Sequence, residues 1–271
     1  MHVEKTRLDV LLVERGLAES RSQAQRLVMA GQVRVDGQVE LRAAARVQPG
    51  VTLEVERGRR FASRGGDKLE AALQAFSFQV QGLICADVGA STGGFTDCLL
   101  QHGAARVYAI DVGRGILDWK LRQDSRVVVM EGTNARFVEH LAEPVQLVTI
   151  DVSFISLKII LPAVKGWMPI DREVRRGSVI ALVKPQFEAG RQQVGRGKGV
   201  IRDPLVHRQV LLDVLGSASQ TSFATRGLLR SPLTGPKGNT EFLAWLELSG
   251  NQDVSIEAHV GWVIGGEIKE G

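Results

Sequence analysis

From residue 83 onward, short apolar segments alternate with amphipathic ones, and this alternation constrains the fold more than any other feature of the sequence. Seven segments are predicted to be strands, namely 84–89, 106–111, 127–130, 147–151, 178–184, 223–229 and 241–248. Amphipathic stretches such as 203–216 fill the gaps and are predicted to be helices. Strands that alternate with helices predict an α/β fold with a mostly parallel sheet, covered by helices on both faces.

Charged side chains stand where four of these predicted strands end. Asp87, Asp111, Asp151 and Lys184 each occupy such a position. In parallel sheets, ligands bind beyond the carboxyl ends of the strands, near the point where the strand order reverses. Several charges that converge on one edge therefore predict a functional site rather than isolated helix caps.

The first sixty residues have a different pattern. Residues 7–16 and 21–30 are predicted helices, and Ser20 is placed to cap the second one. An alternating segment around Asp36 and Gly37 then predicts a β-hairpin. We assign residues 1–58 to a small N-terminal domain, 59–66 to an Arg- and Gly-rich linker, and 67–271 to the α/β domain.

Composition restricts the class of protein further. The net charge is +4, and residues 1–60 hold three of these charges. The most apolar long stretch, 147–164, is interrupted by Asp151, Lys158 and Pro162, so it is not predicted to span a membrane. Two cysteines are too few for a disulfide framework, and no apolar signal region opens the sequence, so we expect a cytoplasmic protein.

The first predicted strand of the α/β domain runs into a glycine-rich loop, DVGASTGGF at 87–95. The loop lacks the G-x-x-x-x-G-K-[ST] pattern of ATP and GTP sites, and it departs from G-x-G-x-x-G. Asp111 follows at the distance at which nucleotide folds place a ribose-binding acid, a spacing shared by NAD and S-adenosylmethionine sites. Asp87 would repel a pyrophosphate and attract a sulfonium ligand. A plain strand-to-helix turn is the alternative.

The loop resembles the first motif of S-adenosylmethionine-dependent methyltransferases of class I, which have a Rossmann-like sheet. Lys68, Asp151, Lys184 and Glu241 also resemble, in that order, the catalytic tetrad of FtsJ-type RNA 2′-O-methyltransferases. The resemblance implies that Lys184 is the general base and that Lys68 is a neighbouring cation which lowers the pKa of Lys184. Asp151 would orient Lys184, and Glu241 would position Lys68 or the ribose. The implied cofactor contacts are Asp87, Gly89, Ala90, Ser91, Gly93, Gly94, Phe95, Asp111, Val112, Asn134 and Asp151.

Residues 5–50 resemble an S4 domain, an RNA-binding module with a small α+β fold. On the second predicted helix, Arg21 and Gln25 form one polar row, and Arg26 belongs to the next. By spacing alone these rows are a solvated helix face, whereas the resemblance implies RNA contact through Arg7, Arg21, Gln25 and Arg26. Arg64, in the predicted linker, is the fifth expected RNA contact.

The whole chain resembles the TlyA family of ribosomal RNA 2′-O-methyltransferases, some of which are called haemolysins. Further matching stretches are 89–95, 183–188 and 197–204. The resemblance implies a cytidine ribose in ribosomal RNA or ribosomal subunits as substrate, and transfer of a methyl group without a metal. The alternatives are a non-catalytic RNA-binding factor, a haemolysin and an NAD-dependent oxidoreductase.

Overall fold

A computed structural model gives the structure of the chain and describes residues 5–56, 60–169, 177–189, 199–248 and 254–265. The chain forms two compact units, the first ending at Arg60 and the second beginning at Phe61.

Two helices and five short strands form the described part of the first unit, residues 5–56 and 60. Its elements in chain order are β1 (Thr6–Arg7), α1 (Leu8–Glu14), α2 (Arg21–Met29), β2 (Val33–Val35), β3 (Gln38–Val39), β4 (Arg46–Val47) and β5 (Leu53–Val55). β2 pairs with both β3 and β5, and β1 pairs with β4, in every case antiparallel. The predicted cap is confirmed, because Ser20 Oγ accepts a hydrogen bond from the backbone N–H of Gln23 at 3.3 Å.

The predicted hairpin is also confirmed. Asp36 and Gly37 connect β2 to β3 with φ values of 50° and 80°, the left-handed conformation that a two-residue turn of this kind requires. A small core lies beneath the helices and consists of Leu8, Leu12, Ala18, Ala24, Val28 and Val33. On α2, Ala24 and Val28 are buried, whereas Leu27 is only half-buried.

The second unit follows the predicted strand–helix alternation. Its elements are α3 (Gly65–Ala75), β6 (Ile84–Val88), α4 (Gly94–Gln101), β7 (Arg106–Asp111), α5 (Trp119–Gln123), β8 (Val127–Glu131), β9 (Leu147–Ile150), α6 (Leu157–Lys165), β10 (Ser178–Val183), α7 (Pro185–Glu188), α8 (Pro204–Gln220), β11 (Phe223–Arg230), β12 (Phe242–Leu248) and α9 (Ile256–Gly265). Short 3-10 turns lie at Ala135–Phe137 and Pro236–Gly238. The strands form one seven-stranded sheet in the order β11-β12-β10-β9-β6-β7-β8.

This sheet is mostly parallel, as predicted. The five strands from β10 to β8 in this order run parallel, and β12 is antiparallel to both of its neighbours. Successive side chains of a strand point to opposite faces. Along β10, Val179, Ala181 and Val183 belong to one apolar cluster and Ile180 and Leu182 to another. Both faces of the sheet are therefore covered, the first by α6 and α8 and the second by α3 and α4.

The start of the second unit differs in detail from the predicted boundaries. Arg59, the first residue of the predicted linker, lies outside the described residues. Gly65 and Gly66, which the composition assigns to the linker, form the first turn of α3. A Cβ on Gly66 would come within 2.3 Å of the ring of Phe61, so glycine here allows close packing of the helix rather than flexibility.

Candidate functional site

Strand pairing brings the four residues of the predicted tetrad to one edge of the sheet. Val183 lies opposite Phe242 in the β10–β12 pair, so Lys184 and Glu241 extend that antiparallel register by one position. Asp151 directly follows β9, whose Ile150 pairs with Ala181 of β10. Lys68 arrives from α3, outside the sheet, and reaches Glu241. The sequence order therefore gives no hint of how near these side chains are to one another.

The tetrad forms two ion pairs. Lys184 Nζ lies 2.7 Å from Asp151 Oδ1 and donates a hydrogen bond to Ser153 Oγ at 3.1 Å. Lys68 Nζ lies 2.5 Å from Glu241 Oε2. Both lysines and Glu241 are buried, whereas Asp151 is half-buried. The structure thus pairs each lysine with its own carboxylate, and the expected direct effect of Lys68 on Lys184 has no counterpart among these contacts.

The second carboxylate oxygen of Glu241, Oε1, is buried and accepts no hydrogen bond from the described residues. It lies against the backbone of Gly235, where an added Cβ would come within 2.0 Å of it. Only glycine therefore leaves room for this carboxylate. A buried acceptor without a donor is costly, so a donor supplied by a ligand would be favourable at this point.

A cavity of about 400 Å³ opens at the same edge of the sheet, within the size range of small-molecule sites. Its lining comes from the ends of β6 and β7, from the segments that follow β6, β7, β8 and β9, and from one residue of α6. The lining residues are Val88, Gly89, Ser91, Ile110, Asp111, Val112, Ile116, Thr133, Asn134, Ala135, Asp151, Val152, Ser153, Phe154, Ile155 and Ile160. The lining therefore contains two carboxylates, Asp111 and Asp151, among several apolar side chains.

Six of the eleven residues predicted to bind the cofactor line this cavity. They are Gly89, Ser91, Asp111, Val112, Asn134 and Asp151. The other five, Asp87, Ala90, Gly93, Gly94 and Phe95, are buried and absent from the lining. The cavity thus uses the loops after several strands, and only part of the glycine-rich loop faces it.

The sequence predicts that Asp87 lies beside a positively charged ligand, but the structure places it in the interior of the protein. Its carboxyl group is fully buried and accepts hydrogen bonds from the hydroxyls of Thr96, at 2.7 Å, and Thr149, at 3.1 Å. Burial raises the pKa of Asp87 to about 7. The carboxyl group ties β6 to α4 and β9, and the expected attraction to a ligand cation is not supported by its position.

The glycines of the loop are needed for packing within the protein. Gly93 has a φ of 93°, and a Cβ there would lie 2.2 Å from Leu121 and 2.8 Å from Leu117. A Cβ on Gly94 would lie 2.2 Å from Ser63 Oγ. A side chain at either position would therefore collide with the protein itself, whether or not a ligand is bound.

Asp111 is held firmly at the end of β7. Its Oδ2 accepts a hydrogen bond from the N–H of Ser91 at 2.8 Å, and its Oδ1 accepts one from the N–H of Gly113 at 2.7 Å. Each carboxylate oxygen has two lone pairs, so both retain capacity for a ligand hydroxyl. Asp111 therefore joins the glycine-rich loop to the next loop and still presents acceptors to the cavity.

Phe154 is a residue of the site that the sequence analysis missed. Its side chain is 90% exposed although it lines the cavity, and its φ is 66°, which is unusual for an aromatic residue. The ring contacts that of Phe187 with centroids 4.8 Å apart, and Lys184 Nζ lies 5.7 Å from the Phe187 centroid. Inside an apolar stretch, Phe154 looks like a core residue, so the sequence carries no signal of its exposure.

A potential metal-binding cluster lies outside the cavity. The sequence shows no His/Cys cluster, but folding brings Glu70 of α3 next to Cys98 and His102 of α4, with their ligand atoms within 4.8 Å of one another. The Glu70 carboxylate already accepts a hydrogen bond from Gln74 and lies 2.5 Å from His102 Nε2. These contacts account for the burial of Glu70 without an ion.

In the first unit, three of the residues predicted to contact RNA converge on Asp9, which is fully buried. Arg7 donates two hydrogen bonds to the Asp9 carboxylate, at 3.0 and 2.9 Å. Gln25 Nε2 and Arg21 Nη2 donate to Asp9 Oδ2 at 2.9 and 3.3 Å. These donors, Arg7 first, hold the pKa of Asp9 far below its usual range. Arg26 and Arg64 are exposed.

Among the residues that the structure describes, no helix has the length and apolar character required to span a membrane.

Comparison with known proteins agrees with this architecture. Residues 61–248 match the FtsJ-like methyltransferase family, and residues 6–53 match the S4 domain. The chain is 46% identical to the 16S/23S rRNA (cytidine-2′-O)-methyltransferase TlyA of Mycobacterium tuberculosis, over 93% of this chain and 94% of that protein. It is 41% identical to Hemolysin A of Brachyspira hyodysenteriae, over 88% and 98% of the two chains.

A solved structure of a protein named as a hemolysin, from Streptococcus thermophilus, is 43% identical and superimposes with a TM-score of 0.72. It covers 97% of this chain and 96% of the other. The match to the methyltransferase family spans the sheet, the cavity and all four residues of the tetrad. The chain therefore belongs to the family of FtsJ-like methyltransferases and carries an S4 domain ahead of its catalytic domain.

Proposed function

We propose that the protein methylates the 2′-hydroxyl of a cytidine ribose in ribosomal RNA, with S-adenosylmethionine as the methyl donor. The observation that carries the proposal is the ion pair between buried Lys184 and half-buried Asp151, a residue of the lining of a cavity that fits a nucleoside-sized ligand. The relative from Mycobacterium tuberculosis, which is named for this reaction on cytidine, supports the choice of substrate.

The residues of the cavity fit the cofactor. S-adenosylmethionine supplies a methyl group that is activated by attachment to a positively charged sulfur. Asp111 would accept hydrogen bonds from the ribose hydroxyls of the cofactor, and Val112, Ile116 and Ala135 would flank its adenine. Asp151, elsewhere in the lining, would lie toward the positive charge.

Lys184 would act as the general base. A ribose hydroxyl becomes a good nucleophile when its proton is removed, so Lys184 Nζ must be neutral when it accepts that proton. The hydroxyl oxygen would then form a bond to the methyl carbon as the bond from carbon to sulfur breaks.

The remaining residues of the site would hold the RNA. Glu241 positions Lys68 through their ion pair, and its free Oε1 can accept a hydrogen bond from the substrate. Phe154 offers an exposed ring on which a nucleobase can stack, an interaction that tolerates any base. In the first unit, Arg7, Arg21, Gln25 and Arg26 would contact phosphates, as would Arg64 at the start of α3.

The domain limits and the compartment are part of the proposal. Residues 1–58 would bind RNA, 59–66 would connect the two domains, and 67–271 would carry out the transfer. A ribosomal RNA substrate places the enzyme with the ribosomes, in the cytoplasm. Cys85 and Cys98 are buried thiols that are not joined in a disulfide, which fits a reducing compartment.

Substitution of Lys184 tests the chemistry. Lys184→Ala should lose about 10²- to 10⁴-fold in the rate of methyl transfer, the usual contribution of a positioned base. Lys184→Arg should fail nearly as badly, because a guanidinium stays protonated at the working pH. The measurement is single-turnover transfer of labelled methyl to ribosomal subunits at several pH values, with the product mapped to the ribose.

Lys165→Arg is the matched control, because Lys165 lies at the end of α6, outside the cavity lining, and donates a hydrogen bond to Ser222 at 3.3 Å. This variant should retain the wild-type rate. Substantial transfer by Lys184→Arg would mean that residue 184 acts as a fixed positive charge and that the proton leaves by another route. Binding of cofactor and RNA without any transfer by the wild-type protein would support a non-catalytic RNA-binding factor instead.

A further inference from the structure

The loop between β7 and α5 forms one wall of the cavity. Val112 and Ile116 of this loop belong to the lining, and both are exposed apolar side chains in the structure. Gly115 has a φ of 72°, so the backbone turns sharply in the middle of the loop. Val112 and Ile116 face the cavity and not the core, so this part of the loop needs another support.

That support comes from one carboxylate, Glu131, at the end of β8. Its Oε2 accepts a hydrogen bond from the N–H of Gly115 at 2.7 Å, and its Oε1 accepts those of Ile116 and Leu117 at 3.0 and 3.1 Å. Three consecutive backbone N–H groups thus converge on a single side chain. A carboxylate that replaces water for three N–H donors fixes the backbone between them.

Arg122 of α5 holds Glu131 in place. Its guanidinium forms a short ion pair with Glu131 Oε1, and its Nε donates a hydrogen bond to the carbonyl of Leu117 at 3.1 Å. Arg122, followed by the three N–H groups, lowers the pKa of Glu131 to about 2. Glu131 is therefore ionised at every pH at which the protein would be assayed.

The same loop also supports the neighbouring glycine-rich loop, which contributes to the lining as well. The N–H of Asp118 donates a hydrogen bond to the carbonyl of Thr92 at 3.2 Å. The side chains of Leu117 and Leu121 fill the space beside Gly93. Displacement of Leu117 would thus change the packing around Gly93, and the loop that contains Gly93 contributes Gly89 and Ser91 to the lining.

We propose that Glu131, together with Arg122, is a positioning residue for binding of the methyl donor. It presets the loop 112–117 and, through Leu117, the glycine-rich loop, so that both walls of the cavity are formed before the donor arrives. This inference rests on the proposed function, because it assigns the cavity to S-adenosylmethionine. A preset site does not lose binding free energy to the ordering of its loops.

The test compares three variants of the full chain. Glu131→Gln replaces an oxygen acceptor with an NH₂ group that faces a backbone N–H, and Arg122→Gln removes the cation that holds Glu131. Asp124→Asn is the matched control, since Asp124 pairs with Arg126 and accepts a backbone N–H just before β8, away from the cavity. Affinity for S-adenosylmethionine is measured by calorimetry, and hydrogen exchange follows the amides of residues 115–117.

We expect Glu131→Gln and Arg122→Gln to bind S-adenosylmethionine about tenfold more weakly or worse. The KM for the donor should rise by a similar factor while kcat at saturation changes by less than about twofold, the pattern of lost binding without lost chemistry. The amides of 115–117 should exchange faster even without the donor. Asp124→Asn should match the wild-type protein in all three measurements.

Two outcomes would overturn the inference. If Glu131→Gln folds and binds the donor as tightly as wild type, Glu131 has no role in donor binding. A lower melting temperature with unchanged donor affinity would likewise show that Glu131 only stabilises the fold. A wild-type protein that binds no S-adenosylmethionine would overturn the proposed function and this inference with it. The wild-type titration therefore separates the two failures.

Discussion

Among the residues that the structure describes, each unit buries one aspartate completely, and the two aspartates are held in opposite ways. Asp9 in the first unit accepts hydrogen bonds from two guanidinium groups and an amide, and its pKa is far below the usual range. Asp87 in the second unit accepts hydrogen bonds from two threonine hydroxyls, and burial raises its pKa to about 7. The same residue type at the same exposure is thus a firmly held anion in one unit and a weak acid in the other.

The difference teaches that the partners, and not burial alone, decide the charge of a buried carboxyl group. Removal from water disfavours the charged form at both positions, and only Asp9 has cations to offset this cost. The cations of Asp9 are themselves partly exposed, with side-chain exposures of 41% for Arg7 and 58% for Arg21. They can therefore hold the anion and still be reached by RNA, whereas the partners of Asp87 serve only the interior.

The largest expected effect is on the pH dependence of stability through Asp87. Its folded pKa is about 7 and its ordinary value is 3.8, so the folded state binds the proton more tightly. The resulting stabilisation is complete below a pH of about 3.8. It is lost progressively as the pH rises from there to about 7. Asp87→Asn removes this dependence, so its free energy of unfolding relative to wild type should improve by up to about 1.4 kcal/mol per pH unit within that window.

The measurement is denaturant unfolding of the full chain between pH 5 and pH 8. Asp213→Asn is the control, because Asp213 lies on α8 and pairs with Gln209 at the surface. Parallel pH profiles for Asp87→Asn and wild type would mean that Asp87 stays ionised in the folded protein. The contrast with Asp9 would then disappear.

The second prediction concerns Asp9 and has the opposite sign with pH. Asp9→Asn should destabilise the first unit at neutral pH by about 1.5–3 kcal/mol, the value of a hydrogen bond to a charged group. Because the pKa of Asp9 is lowered on folding, the stability that it contributes is present at neutral pH and lost as pH falls. The difference between variant and wild type should therefore shrink in acid.

Hydrogen exchange of α1 and α2 in the full chain would localise this loss, with the amides of β6 as an internal reference. A loss that is equal at pH 7 and at pH 3 would show that the charge of Asp9 is unimportant. Exchange that increases in β6 instead would assign the effect to the second unit.

The sequence predicts the fold of the second unit well because its strands are apolar and regularly spaced. It also predicts the cap at Ser20 and the turn at Asp36, which depend on neighbouring residues. The partners of Asp87 could not be predicted, because Thr149 approaches it across two paired strands. The role that we infer for Glu131 could not be predicted either, because its partners are also distant in sequence. Its N–H donors belong to a loop that precedes it by about fifteen residues.

The smallest effect on stability, and the sharpest test of the contrast between the two aspartates, is expected for Arg21. Its hydrogen bond to Asp9 is the longest of the four, and its side chain is largely exposed, so Arg21→Gln should cost about 1 kcal/mol or less. If Arg21 also contacts a phosphate, the variant should bind ribosomal RNA more weakly. The slope of log affinity against log salt concentration should then become shallower by about one unit.

Arg26→Gln is the matched comparison: Arg26 is exposed on the same helix and is not among the donors to Asp9. It should change the salt dependence equally and leave the stability unaltered. If Arg21→Gln keeps the wild-type salt dependence of RNA binding, Arg21 holds Asp9 and does not contact a phosphate. The contrast between Asp9 and Asp87 would then concern only their partners within the protein and not RNA binding.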